Sequence, residues 1–185
     1  MVRRRKLYVL GVMALLALGA ASYAVASGGD GPPKVPQSKR FHAELNGFQE
    51  TPSVSSTGFG TFDATLVDDD TLHFVFHYEG LEGGNSLFAH VHFGTRYNNG
   101  GVSYFLCGPP ANAPVVCPNG EGTIEGDITA ANVIGPNAQG IEAGSFAEIL
   151  RAMRAGSAYA NIHTTRWPGG EIRGEINDKD QKAPQ

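Results

Sequence analysis

The fold of this chain is decided by residues 58–78, which read GFGTFDATLVDDDTLHFVFHY. Apolar and polar side chains alternate through 58–66 and again through 72–78, and a period of two is typical of strands that bury one face. The three aspartates at 68–70 mark a turn between the two runs. This stretch therefore predicts two strands joined by a short turn.

The same alternation recurs along most of the chain. Further strands are predicted at 41–45, 87–93, 102–106, 122–128, 157–164 and 170–176. The 25 glycines and 11 prolines punctuate these runs, and many short strands separated by turns favour an antiparallel sandwich or barrel. We predict an all-β domain, folded as an antiparallel β-sandwich.

One segment has helical spacing instead. Phe146, Ile149, Leu150 and Met153 would form a single apolar stripe that can cover the sheet. Ser145 with Glu148 three residues later predicts a capping box, and Gly156 predicts a left-handed stop. We expect one short covering helix with a structural role.

The N-terminus predicts export. Residues 1–26 hold a basic cluster at 3–6, an apolar run at 7–21 and the small-x-small pattern of Ala24-Val25-Ala26, which together are typical of a cleaved signal peptide. The alternative is an uncleaved anchor, because the apolar stretch 7–26 is near the roughly 20 residues that a spanning helix needs. The membrane would then be contacted through residues 7–26 alone. In either case we expect a periplasmic, cell-surface or secreted protein.

Composition divides the rest of the chain, residues 27–185, into three segments. Residues 27–40 are rich in Gly, Pro and charge and predict a flexible linker, 41–176 the folded domain, and 177–185 a disordered polar tail. Four of the 14 basic residues lie in 1–26, which leaves 10 against 18 acidic residues, a formal charge of −8. Nucleic acid is a poor candidate partner for such a domain, since binding its backbone needs a basic patch.

The two cysteines, Cys107 and Cys117, are ten residues apart. In an oxidising compartment such a pair most simply forms a disulfide that closes a small loop. A metal role is the alternative, although zinc sites usually offer more closely spaced pairs.

The strongest candidate site is His90-Val91-His92. On a strand these two histidines share a face, with Cα atoms roughly 6.5–7 Å apart, so their imidazoles can converge on one copper or zinc ion. Two exposed histidines would fit the spacing equally well. His163, in the run 160–164, supplies a third imidazole if its strand neighbours that of His90, and three ligands with a vacant position can bind a small molecule or activate water. The alternative for His163 is a cross-strand hydrogen bond.

Other polar residues are weaker candidates. His73 and His77 lie about 13 Å apart along an extended strand and cannot hold one ion together, although His77 is a candidate fourth ligand. Glu171, Arg173 and Glu175 predict a solvated ladder, with Arg173 as a possible guide for anions. The turn at 98–101 could form a rim over a site. Catalytic triads, phosphate-binding loops and paired carboxylates are not recognisable, so enzymatic activity is the less favoured expectation.

Several stretches together resemble the CHRD domain, the module named after chordin. They are FHAELNG (41–47), ETP (50–52), YEGL (78–81), AHVHFG (89–94), GSAYANIHT (156–164) and PGGEIRGEI (168–176). The resemblance implies an extracellular β domain, and the family pattern includes positions equivalent to His90, His92 and His163. It implies no particular activity or protein partner, and the loop between Cys107 and Cys117 does not match the pattern.

The His-x-His strand also resembles that of copper/zinc superoxide dismutase, a Greek-key β-sandwich, but the bridging histidine and zinc loop of that enzyme are not recognisable here. Three hypotheses follow. The domain is a binding module with copper or zinc on His90, His92 and His163, a structural or adhesive envelope module without metal, or a metal-dependent redox enzyme.

Overall fold

The computed structural model describes residues 39–109, 113 and 115–178. The predicted export segment at 1–26, residues 27–38 of the predicted linker and the tail from 179 onward lie outside these residues. Within the described ranges, none of the helices has the length and apolar character needed to span a membrane.

Nine strands and one α-helix make up the described regular structure, together with three short 3-10 turns. The elements are β1 (Arg40–Asn46), β2 (Phe59–Leu66), β3 (Leu72–Glu79), β4 (Ser86–Phe93), β5 (Gly101–Cys107), β6 (Gly122–Ile128), α1 (Phe146–Arg154), β7 (Ala158–Thr164), β8 (Ile172–Glu175) and β9 (Asn177–Asp178). Each predicted strand is present with its ends moved by two residues or fewer. The first two residues of the predicted tail pair with β1 as β9.

The strands follow one hydrogen-bonded path in the order β5-β4-β7-β8-β1-β2-β3-β6, and every pairing is antiparallel. The register of β2 with β3 runs from Phe59↔Glu79 to Leu66↔Leu72, so these strands form the predicted pair around the aspartate turn. The all-β antiparallel prediction is confirmed. The division into two sheets is only approximate, because the sheet is continuous and curls around one core.

That core is a single apolar cluster to which β1 to β8 and the helix all contribute. Most of its large aromatic side chains come from β1, β2 and β3, and β5 adds Tyr104. The helix α1 adds a stripe that includes Phe146, Ile149, Leu150 and Met153. The burial of side chains of about this size stabilises a fold by roughly 1.5–3 kcal/mol each. The predicted covering helix is therefore confirmed.

The start of the helix differs from the prediction. The side chain of Ser145 makes no capping hydrogen bond, and Glu148 forms an ion pair with Arg151 instead. The reason is the backbone of Ser145, which lies at φ −78° and ψ 62° and not in the extended conformation that aims a capping oxygen at the first turn. The predicted left-handed stop is confirmed, because Gly156 has φ 65°.

Cys107 and Cys117 are joined in a disulfide, with their Cα atoms 5.0 Å apart. The bond links the end of β5 to the segment that leads into β6, and both cysteines are buried. Because both sulfurs are used, the alternative metal role for these thiols is wrong.

Three neighbouring strands, β4, β7 and β8, are buried on both faces over most of their length. One face joins the apolar core, and the other carries polar side chains. We call the second one the covered polar face; its members are His90, His92, Tyr159, Asn161, His163, Glu171, Arg173 and Glu175. Loops cover it: Ser56 and the backbone N–H groups of Glu82 and Gly83 all donate to the carboxylate of Glu171.

Candidate metal centre

The three candidate histidines are brought together by the pairing of β4 with β7. In this antiparallel register Phe88 lies opposite His163, His90 opposite Asn161, and His92 opposite Tyr159. Because side chains alternate along a strand, Ala89 and Val91 enter the apolar core while the histidines point to the covered polar face. The condition set for His163, that its strand neighbours that of His90, is therefore met.

The imidazoles are close enough to share one ion. One nitrogen from each of His90, His92 and His163 lies within 4.8 Å of the other two, and all three side chains are buried. The ring centroid of His90 is 4.4 Å from that of His92 and 4.6 Å from that of His163. Nitrogens on a tetrahedral ion with bonds of 2.0–2.1 Å would be about 3.4 Å apart, so small rotations of the rings complete the geometry.

Each histidine has its Nδ1 atom held by an oxygen. Nδ1 of His92 lies 2.8 Å from the carbonyl of Gly100, and Nδ1 of His163 lies 2.8 Å from the carbonyl of Pro168. A carbonyl can only accept, so both Nδ1 atoms carry the proton and both Nε2 atoms carry a lone pair. Nδ1 of His90 lies 3.1 Å from Oδ1 of Asn161 in the same arrangement. This fixes ring orientation and tautomer as second-sphere partners do in metal sites.

Two of the Nε2 atoms, those of His92 and His163, have no donor facing them. Nε2 of His92 has no hydrogen-bond partner among the described residues. Nε2 of His163 lies 3.1 Å from Oδ1 of Asn161, so two acceptors face each other. A buried acceptor without a donor costs about 1–3 kcal/mol, and a bound cation would relieve both deficits at once.

The electrostatics keep these rings neutral. Burial lowers the pKa of His90 to about 2, helped by the neighbouring His92 and His163. Burial likewise lowers the pKa of His92 to about 4, and it lowers the pKa of His163. The lone pairs needed for coordination are therefore available at neutral pH, without competition from protons.

Aromatic rings form the walls of the cluster. The ring of Phe88 lies 5.2 Å from that of His90 and 4.7 Å from that of His163, and Phe105 meets His90 edge-on at 5.1 Å. Tyr159 stacks on His92 with centroids 4.5 Å apart. These apolar contacts fix the rings and limit the number of water molecules that can hydrate an ion here.

Two residues of the site were missed by the sequence analysis. Asn161 lies two residues before His163 on the same strand face, so strand alternation could have placed it beside the histidines. Glu50 comes from the loop after β1, where no periodicity predicts its position. The amide of Asn161 lies 3.5 Å from Oε1 of the buried Glu50, and burial raises the pKa of this carboxyl to about 7.

The candidate fourth ligand is wrong. His77 lies on β3, which is not a neighbour of β4 or β7 in the sheet. Its Nδ1 atom bonds the hydroxyl of Thr123 at 3.0 Å, and its Nε2 atom lies 3.8 Å from Glu79. His73, on the same strand, pairs with Asp127.

The predicted solvated ladder is also wrong, because Glu171, Arg173 and Glu175 are all buried. Arg173 donates to Glu175, to the hydroxyl of Thr51 and to the carbonyls of Thr95 and Asn98. Its guanidinium also lies 3.4 Å from the ring centroid of Tyr159. All its hydrogen-bonding nitrogens are engaged, and loops cover it, so it cannot guide a diffusing anion. The turn at 98–101 does border the cluster, through the carbonyl of Gly100.

The fold and the cluster define a class of protein: an all-β antiparallel domain with three histidines converging on its covered face. The CHRD domain family model matches residues 41–176, and the chain belongs to the CHRD family. No curated protein and no solved structure matches this chain.

Proposed function

We propose that this chain is an exported CHRD module that binds one copper or zinc ion through the Nε2 atoms of His90, His92 and His163. The observation that carries the proposal is the convergence of three buried imidazoles, whose ring nitrogens lie within 4.8 Å of one another, with each Nδ1 atom held by an oxygen and Nε2 of His92 unpaired among the described residues. The three imidazoles are thus preorganised to bind a cation.

The donor atoms favour copper or zinc over other ions. Neutral imidazole suits borderline ions, whereas magnesium and calcium prefer oxygen ligands. The cluster contains three nitrogens and no carboxylate or thiolate. Three protein ligands would leave one coordination position for a water molecule or a small guest.

Export is supported by two independent features. The disulfide between Cys107 and Cys117 requires an oxidising compartment to persist, and residues 1–26 have the pattern of an export signal. The mass of the exported chain would distinguish cleavage after Ala26 from retention of the segment as an anchor.

The main alternative is a structural module in which the histidines serve only as hydrogen-bonding groups. The contacts of the Nδ1 atoms fit either function, but a purely structural role leaves the Nε2 atoms of His92 and His163 without donors. The third hypothesis, a redox enzyme, loses the anion guide that Arg173 was expected to supply, because that side chain is buried.

Metal analysis tests the proposal. The exported chain, dialysed after exposure to copper or zinc, should retain about one equivalent, and the variant His90→Ala/His92→Ala should retain none. A matched control is His73→Ala/His77→Ala, which removes two histidines from β3 and should keep the full equivalent.

A wild-type chain that retains no metal under these conditions would overturn the proposal in favour of the structural module. Retention by the His90→Ala/His92→Ala variant would place the ion elsewhere. Turnover of superoxide or peroxide above the free-ion background would extend the proposal to redox chemistry.

A further inference from the structure

A surface cavity lies apart from the histidines. It has a volume of about 180 Å³ and is lined by Phe48, Gln49, Arg96, Tyr97 and Glu175. Phe48 and Gln49 belong to the 3-10 turn after β1, while Arg96 and Tyr97 belong to the loop after β4. We call it the aromatic pocket. None of the three clustered histidines lines it.

The rim of the aromatic pocket exposes two aromatic rings. Phe48 is 72% exposed and Tyr97 is 79% exposed, which makes them the two most exposed large hydrophobic side chains among the described residues. Tyr97 also has φ 70°, a left-handed conformation that is strained for a bulky side chain by roughly 1–3 kcal/mol. Strain that turns a ring toward solvent has no benefit for packing and is typical of a binding surface.

A buried carboxylate belongs to the same pocket. Glu175 is 8% exposed, and its Oε1 atom accepts from Arg173. Its Oε2 atom is buried and has no hydrogen-bond partner among the described residues. A buried charged oxygen without a donor is costly, so this atom indicates a ligand that supplies an O–H or N–H group.

The pocket is held in shape before any ligand binds. Thr51 and Asn99 exchange two hydrogen bonds between the two loops. Arg173 donates to Thr51 on one loop and to the carbonyls of Thr95 and Asn98 on the other. Preorganised loops lower the entropic cost of binding, so a small ligand can bind with few contacts.

Charge narrows the class of ligand. The unpaired oxygen of Glu175 needs a donor, which an anion without an acidic proton does not supply, and the guanidinium of Arg96 disfavours a cation. A neutral sugar ring fits both groups, since its hydroxyls can donate to Glu175 and accept from Arg96 while its C–H faces pack on aromatic rings. The volume is below the roughly 300–1,000 Å³ of pockets for drug-sized ligands, so there is room for one ring.

We propose that the aromatic pocket is a carbohydrate site that takes one neutral pyranose ring between Phe48 and Tyr97, with a hydroxyl donating to Oε2 of Glu175. This assignment goes beyond metal binding and does not depend on it. It would allow the exported module to attach to neutral glycans.

The test is a titration of the ¹⁵N-labelled exported chain with methyl glycosides of glucose, galactose, mannose and N-acetylglucosamine, followed by amide chemical shifts. At least one glycoside should bind saturably with a Kd of about 1–10 mM, which is the scale expected for one ring. Phe48→Ala and Tyr97→Ala should each weaken binding at least about fivefold. Both side chains are exposed, so neither substitution should impair folding.

Val67→Ala serves as the matched control, because Val67 is also an exposed hydrophobic residue but follows the far end of β2. It should leave the Kd unchanged, and so should treatment of the wild-type chain with a chelator. Tetramethylammonium chloride and sodium sulfate serve as charged probes and should produce no saturable shifts at the pocket. The proposal is overturned if no glycoside binds, if the ring variants bind as the wild type does, or if only a charged probe binds.

Discussion

Two strand faces that carry histidines and acidic groups differ in what lies over them. On the covered polar face, His90, His92 and His163 are buried and face one another. The second face belongs to β3 and β6, where His73 bonds Asp127 and His77 bonds Thr123, all partly or fully exposed. We call this second one the open polar face.

The comparison shows that the presence of loops over a face, more than the types of residue on it, determines whether its polar side chains are available to bind a ligand. Water can hydrate every polar atom on the open polar face, so each histidine there needs only one neighbour. On the covered polar face each polar atom needs a partner within the protein, and those left without one become candidate ligand positions. The unpaired atoms at His92 and Glu175 mark the two sites proposed above.

The largest difference between the two faces should appear in the free energy of unfolding when one charge is removed from each. Arg173→Met leaves Glu175 buried without its cation and should lower the free energy of unfolding by about 3–5 kcal/mol. Asp127→Asn removes the charge of an exposed pair and should change it by less than about 1 kcal/mol. Denaturant unfolding of both variants measures the difference. Equal effects would mean that the cover over Arg173 is open in solution.

The next largest effect is the pH dependence of the stability of the metal-free chain. Between pH 6.5, the ordinary pKa of histidine, and the folded value of about 4 for His92, the unfolded chain binds a proton that the folded chain does not. The contribution of neutral His92 to the free energy of unfolding is therefore fully present above pH 6.5. It is lost as the pH falls toward 4, and the loss amounts to roughly 3 kcal/mol.

Chelator-treated wild type and His92→Gln should be unfolded with denaturant at several pH values from 7 to 4. Glutamine does not titrate, so the variant should lose less stability over this range. An unchanged slope would show that His92 reaches solvent and is protonated in the folded chain.

The sequence predicted which residues share a face but not which faces are covered. Alternation placed the strands within two residues and put His90 and His92 on one strand face. It left open whether the strand of His163 lies beside theirs, which only the pairing of β4 with β7 decides. The same alternation led to the wrong prediction that Arg173 is exposed to solvent. Its cover comes from the irregular loops 47–58 and 94–100, whose side-chain contacts follow no period. Glu50 was missed for the same reason.

The third prediction concerns the residue that holds His90. Asn161→Leu removes the oxygen bonded to Nδ1 of His90 and should weaken metal affinity by about 10–100-fold. The metal-induced rise in unfolding free energy at a fixed copper or zinc concentration should fall by about 1.4–2.7 kcal/mol. Because each chain is compared with its own metal-free form, a general loss of stability does not affect the result.

On the open polar face, Thr123→Val removes the hydroxyl bonded to Nδ1 of His77 and serves as the matched control. Its metal-induced stabilisation should equal that of the wild type. If Asn161→Leu also behaved as the wild type, Asn161 would have no part in orienting the ligands.

The smallest expected effect comes from Glu50, and here stability changes with pH in the direction opposite to that for His92. Its folded pKa of about 7 lies above the ordinary value of 4.5, so between these values the folded chain keeps a proton that the unfolded chain has released. Stability is therefore lost as the pH rises through this window.

Glu50→Gln keeps an oxygen for Asn161 and carries no charge, so it should match the wild type near pH 4 and exceed it by about 1–2 kcal/mol at pH 6. The attraction of Arg173 for the ionised carboxylate is already included in the folded pKa of Glu50. Exposed Glu121→Gln should change stability by less than about 0.5 kcal/mol at both values. A Glu50→Gln chain that is no more stable than the wild type at pH 6 would mean that this carboxylate is paired when it is ionised, and that the cover over this face admits water.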